Sequence, residues 1–159
     1  TGCRLGEALA LQWTDLDLSG HRMTIRHSLE ELGGRFRLKV PKTAASRRTV
    51  LLAPLAVAAL AAHHDRMTIE GLDHLPYVFV DTRGGFLCSS NLLRRHWRPL
   101  AKAVGAPRAR IHDARHTVAS LLVANNVPMK AIQGLLGHAD PAITMKHYAK
   151  FTAELQEQT

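Results

Sequence analysis

The chain contains few cysteines, few aromatic residues and no long apolar run. Its 159 residues include only Cys3 and Cys88, too few for a disulfide scaffold and without the CxxC spacing of a zinc site. A reducing cytosol is therefore the expected compartment. The longest apolar run, from Val50 to Ala62, is too short to span a membrane and contains Pro54, so no membrane-spanning segment is expected.

Acidic residues are also scarce relative to basic ones. Lys and Arg number 21 against 13 Asp and Glu, and the formal net charge is +8. Such an excess raises nonspecific affinity for a polyanion, which makes nucleic acid the first candidate partner and an anionic membrane surface the second. The apolar and charged fractions, 46% and 21%, are ordinary for a globular protein, so one folded domain is expected.

Hydrophobic periodicity predicts the elements of this domain. Apolar residues at helical spacing indicate a first helix from Leu5 to Trp13. The runs "RMTIRHSLE", "RFRLKV" and "RRTVLL", with a Gly-Gly turn between the first two, predict three antiparallel strands, and a helix begins at Pro54.

Three further helical patterns follow, "SNLLRRHWRPLAKAVG", "HDARHTVASLLVANN" and "PMKAIQGLLGH". Pro99 is expected to bend or split the first of them, and Pro128 and Gly137 to open and close the last. The middle pattern predicts an apolar face of Ala114, Val118, Leu121 and Leu122. The expected fold class is α+β, mainly α-helical with a small three-stranded antiparallel sheet.

The stretch "RIHDARHT" has the most specific chemistry. His112 and Arg115 are three residues apart and share a helix face, where an imidazole and a guanidinium suit a phosphoryl group. An isolated pair of this kind is more often a capping histidine and an exposed arginine.

Two other interpretations of this region compete. His112 and His116 also have zinc-ligand spacing, but the zincin motif needs Glu where Asp113 stands. A helix-turn-helix around "NNVP" would explain the charge and leave Tyr148 without a role.

The motifs "TGCRLGEALALQWTDLDL", "KTAASRRTVLL", "HDARHT", "LLGHADPAIT" and "HY" occur in this order. Together they resemble the catalytic domain of tyrosine recombinases, the phage-integrase family, from Thr1 to about Tyr148. The resemblance implies a single active site made by the matching residues Arg4, Lys42, His112, Arg115, His138 and Tyr148.

The implied function is site-specific DNA recombination. Tyr148 would attack the scissile phosphodiester to form a 3′-phosphotyrosine, with no metal, cofactor or ATP. The arginines would bind the nonbridging oxygens, Lys42 would be the general acid, and His112 and His138 would assist proton transfer. The alternative is a catalytically inactive or vestigial DNA-binding module of the same fold.

Several further roles are expected around this site. Glu7 and Asp113 are candidates to orient Arg4 and its neighbours, with helix-terminus or surface roles as the alternative. Cys3 is expected to be a small buried hydrophobic residue. Contacts to DNA phosphates are predicted for Arg47, Arg48, Arg94, Arg95 and Arg98.

The resemblance also implies an organisation and a partner. Residues 1–159 are expected to be the catalytic domain, truncated at its N-terminal edge, because "TGCRLGEALALQW" begins inside a helical pattern. The N-terminal core-binding domain of the family is expected to be absent. The expected partner is double-stranded DNA in the bacterial nucleoid, not a membrane, with a monomeric isolated domain and a homo-tetramer in the synapse.

Overall fold

The computed structural model describes residues 1–40 and 47–137, and Lys42, His138 and Tyr148 lie outside these ranges. The described helices are α1 (Leu5–Leu9), α2 (Pro54–Ile69), α3 (Ser89–Leu92), α4 (Arg98–Ala103), α5 (Ile111–Ala124) and α6 (Met129–Leu136). The described strands are β1 (Leu16–Asp17), β2 (Arg22–Ile25), β3 (Ser28–Leu32), β4 (Arg35–Lys39) and β5 (Arg48–Leu51). The expected mainly helical α+β class with a small three-stranded sheet is confirmed. Among these residues no helix is both long enough and apolar enough to cross a membrane.

The strands differ from the three predicted. The three-stranded sheet has the order β1-β2-β5, whereas β3 and β4 form a separate hairpin through the Gly33-Gly34 turn. The predicted strand "RMTIRHSLE" is therefore wrong as one element, because it divides between β2 and β3. Met23, Ile25 and Leu29 keep one alternation across the division, but the first two enter one hydrophobic cluster and Leu29 enters another.

The first helix is held between these two clusters. Leu9 and Ala10, at its end, pack with Leu29 of the hairpin, while Leu11 packs against the three-stranded sheet with the fully buried Val78. The Val78 amide donates to the Leu11 carbonyl at 2.9 Å, which ties this segment to the chain beyond α2. Helix α1 ends at Leu9, earlier than predicted, and a 3₁₀ turn follows at Trp13–Asp15. The end of α1 is thereby fixed in the core.

Helices α5 and α6 form a third cluster from Ala119, Ile132 and Leu136. The predicted apolar face of α5 is wrong in part, because Ala114 is exposed and Leu121 is 57% exposed. The buried residues of α5 are instead the charged Arg115 and Ala119. Pro128 and Gly137 delimit α6 as predicted, and Gly137 has the left-handed φ of 64°. Many helices end at a residue with this left-handed backbone conformation, and glycine adopts it most easily.

Residues 89–103 are helical throughout, but Leu93–Trp97 is a π-helical segment between α3 and α4. The predicted disruption at Pro99 takes this form, because proline has no N–H for the regular helical hydrogen bond. The β3–β4 hairpin holds the start of this helical region. Glu31 accepts hydrogen bonds from the Ser89 amide at 3.1 Å, the Ser89 hydroxyl at 2.8 Å and the Cys88 thiol at 3.3 Å. The hydrogen bond from the Ser89 hydroxyl is the main reason that the Glu31 pKa is lowered.

Candidate active site

Four charged side chains from distant parts of the chain meet beside the end of α6. Arg4 immediately precedes α1, Glu7 is in its first turn, Arg48 begins β5 and Arg115 lies on α5. Glu7 and Arg115 are each 5% exposed, and the Arg48 side chain is 7% exposed. We call these four residues the arginine cluster. Packing around α1, β5 and α5 is what brings them together.

Glu7 is the centre of the arginine cluster. Its Oε1 accepts from Arg4 Nη1 at 2.9 Å and from Arg48 Nη1 at 3.1 Å. Its Oε2 accepts from the Arg4 amide and from Arg48 Nη2, both at 2.8 Å. Burial alone would raise the pKa of Glu7, but these hydrogen bonds and the charge of Arg48 outweigh burial and lower it. Glu7 is therefore ionised and orients both arginines, which agrees with the first of the two roles predicted for it.

The end of α6 supplies the other acceptors. Arg48 Nε donates to the Leu135 carbonyl at 2.6 Å, Arg115 Nη2 to that of Leu136 at 2.6 Å, and Arg4 Nη2 to that of Gly137 at 3.0 Å. Three consecutive carbonyls thus bind one arginine each. The last carbonyls of a helix lack intrahelical donors and carry partial negative charge, so they are suitable partners for cations. Arg115 Nη1 also donates to the Gly2 carbonyl at 2.5 Å.

The arginine cluster has an excess of positive charge, because it contains three guanidinium groups and a single carboxylate. Burial, followed by repulsion from Arg4, lowers the pKa of Arg115 to about 10. Arg115 therefore remains protonated at neutral pH. The Arg4 side chain is 41% exposed, so the cluster reaches the surface there. A desolvated cationic site with one open side is suited to binding an anion.

The "HDARHT" motif begins α5. His112 is exposed, and its ring contacts that of His116 edge-on with centroids 4.6 Å apart. Asp113 accepts from the Arg110 amide at 2.8 Å and from Arg110 Nη2 at 2.9 Å. The Arg110 side-chain hydrogen bond is the main cause of the lowered Asp113 pKa. Asp113 thus has the helix-terminus role, and orienting the arginines is left to Glu7.

The zinc alternative needed a third ligand beside His112 and His116. Within residues 1–40 and 47–137, no group of three or more His, Cys, Asp or Glu side chains is arranged to hold a metal ion.

The helices joined at "NNVP", which the helix-turn-helix alternative concerned, are α5 and α6, and they pack on each other through the third cluster. Arg115 lies at this packed interface, bound to the Leu136 carbonyl.

The structure thus brings two of the six predicted catalytic residues, Arg4 and Arg115, into one cluster, and His112 lies on the same helix as Arg115. In the sequence, Lys42 lies between β4 and β5, and His138 follows Gly137 directly. Of the predicted DNA contacts, Arg47, Arg94, Arg95 and Arg98 are exposed. Cys3 is half-buried and packs against the main hydrophobic cluster.

Arg48 is a functional candidate for which sequence reasoning predicted only a phosphate contact. Its side chain is largely buried and donates to Glu7 and to Leu135, which favours a positioning role over the predicted phosphate contact. A signal for this was present in the sequence. Arg48 and the buried Val50 are two residues apart on β5, so their side chains share one face of the strand.

The site and the fold can be compared with known proteins. The sequence profile of the phage integrase family matches residues 1–154. A XerC-like tyrosine recombinase of Caldanaerobacter subterraneus subsp. tengcongensis is 32% identical, with 93% of this chain and 42% of the relative aligned. A putative prophage phiRv2 integrase of Mycobacterium tuberculosis is 30% identical, with 92% of this chain and 40% of the relative aligned. The chain thus spans about two fifths of the length of these curated relatives.

Solved structures share the fold. The crystal structure of XerA recombinase superposes with a TM-score of 0.76 over 99% of this chain and 52% of that chain, at 28% identity. The Tn1549 transposon integrase, solved in complex with transposon right end DNA, superposes with a TM-score of 0.77 over 99% of this chain and 55% of that chain. At 19% identity, this second similarity establishes the fold alone. On the strength of the profile match over nearly its whole length, the chain belongs to the phage integrase family.

Proposed function

We propose that this chain is the catalytic domain of a site-specific DNA recombinase that cuts and rejoins DNA through a 3′-phosphotyrosine, without metal or ATP. The observation that carries the proposal is the arginine cluster, a fixed cationic site in a member of the phage integrase family. The solved complexes of the Tn1549 integrase and of the XerH recombinase with DNA support a DNA substrate.

The arginines would stabilise the charge that develops on the phosphate. A guanidinium group has five N–H donors, and the contacts described above engage two of those of Arg4 and two of Arg115. Both groups are held by backbone carbonyls and, for Arg4, by Glu7 as well. Donors fixed in advance need little reorganisation when charge grows on the nonbridging oxygens, which is the usual source of a large catalytic effect.

The remaining steps are assigned to residues predicted from the sequence. The phenol oxygen of Tyr148 would attack phosphorus, the bond from phosphorus to the 5′-oxygen would break, and Lys42 would protonate that oxygen. His112 and His138 would bind the phosphate and accept the phenol proton. Attack of a 5′-hydroxyl from a second duplex on the phosphotyrosine then restores a phosphodiester and frees Tyr148. One phosphoester bond forms for each that breaks, so no external energy source is needed.

Phosphate contacts outside the reacting centre would come from the exposed basic residues. Arg94, Arg95 and Arg98 lie on or beside the π-helical segment, and Arg47 lies next to β5. Such contacts fix the position of a protein on DNA without reading its sequence. Each one lost should lower the salt dependence of binding by about 0.9 in log–log slope. A homo-tetramer assembled on two DNA duplexes is part of this proposal.

The deciding experiment uses a nicked suicide duplex that carries the attachment site. The parent protein should form a covalent adduct that survives denaturing electrophoresis, and Tyr148→Phe should form none. Tyr77→Phe is the matched control, because Tyr77 packs on Phe86 in the fold and should leave the adduct intact. An adduct that persists in Tyr148→Phe would refute the mechanism. DNA binding by the parent protein without any adduct would favour the alternative, a catalytically inactive module.

A further inference from the structure

The most informative feature outside the predicted catalytic set is the way the end of α6 binds the arginine cluster. We propose that the last turn of α6 is a positioning element of the active site, and that Arg48 is the positioning residue that keeps it in register with α1. The proposal rests on the proposed function for its consequence in catalysis. Its structural basis is the set of contacts around Leu135, Leu136 and Gly137.

Arg48 joins two elements that otherwise approach the site separately. Its two Nη atoms donate to Glu7 on α1, and its Nε donates to the Leu135 carbonyl of α6. Arg4 makes a parallel link, because it binds Glu7 and the Gly137 carbonyl. Arg48 therefore acts on the reacting phosphate through Arg4 and α6, because its own guanidinium faces protein acceptors.

The planar fork of arginine is required at position 48. Two Nη donors match the two oxygens of Glu7 while Nε reaches the Leu135 carbonyl at 2.6 Å. Lysine carries a single ammonium group and cannot span a carboxylate and a separate carbonyl in this way. Arg48→Lys keeps the charge and removes the link, so it separates positioning from electrostatic attraction to DNA.

A substitution at Gly137 tests the contact between Arg48 and the end of α6 in a second way. Its φ of 64° already disfavours a side chain, and a Cβ added there would lie 2.6 Å from Arg48 Nη1. Gly137→Ala therefore displaces the Arg48 guanidinium without removing any charged group. The residue that follows Gly137 in the sequence is His138, a predicted catalytic residue. The turn thus connects Arg4, Arg115 and the backbone that leads to His138.

The first test measures positioning without any need for activity. In protein labelled with ¹⁵N-arginine, Arg4 and Arg115 should give narrow, slowly exchanging side-chain N–H signals. These signals should broaden or shift in Arg48→Lys and in Gly137→Ala. Arg26→Lys is the matched control, because Arg26 pairs with the buried Asp15 at 3.2 Å, and it should leave them unchanged. Unchanged Arg4 and Arg115 signals in folded Arg48→Lys would overturn the proposal.

The second test measures cleavage of the suicide duplex in a single turnover at saturating DNA. Misplacing a catalytic group by about 1 Å can cost about 10²-fold in rate, and we expect a loss of that order in Arg48→Lys with little change in DNA affinity. Arg26→Lys should cleave at the parental rate. Weaker DNA binding with an unchanged saturated rate would mean that Arg48 contacts DNA directly, against the proposal. If the parent protein forms no adduct, the proposed function fails, and the arginine signals still decide the positioning role.

Discussion

Replacing Glu7 with glutamine tests the energetics of the arginine cluster most directly. Glu7→Gln removes the negative charge and exchanges one acceptor oxygen for an amide group that is itself a donor. Each oxygen of Glu7 accepts from both Arg4 and Arg48, so whichever oxygen is replaced, both residues would face a donor in place of one acceptor. Removing one partner of a buried pair costs about 3–5 kcal/mol, because the other charge stays buried without compensation. The Arg48 contact should dominate, since Arg4 is 41% exposed and solvent screens its share.

We therefore expect Glu7→Gln to lower the free energy of unfolding by about 3 kcal/mol at neutral pH. Urea unfolding followed by far-UV circular dichroism measures it. Glu70→Gln is the matched control, because Glu70 is 51% exposed and 3.8 Å from Arg66, and exposed pairs of this kind contribute about 0–1 kcal/mol. If Glu7→Gln destabilises the protein no more than Glu70→Gln does, the carboxylate does not hold the cluster and the reasoning is wrong.

The pH dependence of the same variant provides a second check. The pKa of Glu7 is lowered in the folded protein, so its ionised form stabilises the fold at every pH above the ordinary value of about 4.5. This contribution is lost as the pH falls from there through the folded pKa. The difference in unfolding free energy between parent and Glu7→Gln should therefore be constant near neutral pH and shrink in acid. A difference that grows on acidification would contradict the assigned direction.

Three further predictions concern α5 and α6. Ile132→Ala should lower the unfolding free energy by about 2–5 kcal/mol, whereas Leu121→Ala should change it by less than about 0.5 kcal/mol, since Ile132 is fully buried and Leu121 is 57% exposed. Arg115→Lys should abolish adduct formation on the suicide duplex, because the compact ammonium group lacks the planar fork with which Arg115 reaches the Gly2 and Leu136 carbonyls. A parental yield would refute its role. Asp113→Ala should speed amide hydrogen exchange in the first turn of α5. Because Arg110 lowers the pKa of Asp113, the parent protein should lose the same protection of these amides when acid protonates the carboxylate.

Local sequence signals predicted the helices well because each signal is a short-range one. The spacing of apolar residues, Pro128 before α6 and Gly137 after it are all determined within one turn of the element concerned. The division between β2 and β3 could not be predicted in this way. Met23, Ile25 and Leu29 fall on the same alternate positions, with the polar His27 between the last two, but their packing partners differ. Strand pairing depends on residues far away in the sequence, such as Val50 opposite Met23.

The site could be predicted as a set of residues but not as a geometry. The ordered motifs led to Arg4 and Arg115, which the structure places in one cluster. The burial of Arg115 depends on carbonyls that are 113 and 21 residues away, and no property of "HDARHT" encodes those partners. The same long-range dependence explains Arg48. The basic side chain of Arg48 indicated a DNA contact, whereas its acceptors on α1 and α6 are brought to it only by the tertiary fold.

The hydrogen bonds from Ser89 and Cys88 to Glu31 have a consequence for the spacing of basic groups. Glu31 belongs to the hairpin whose second strand leads into the segment with Lys42, and Ser89 begins the helical region that carries Arg94, Arg95 and Arg98. The hairpin and the basic helix are therefore joined at one carboxylate. Loss of the Glu31 carboxylate would therefore free the start of the helical region that carries Arg94, Arg95 and Arg98 from the hairpin.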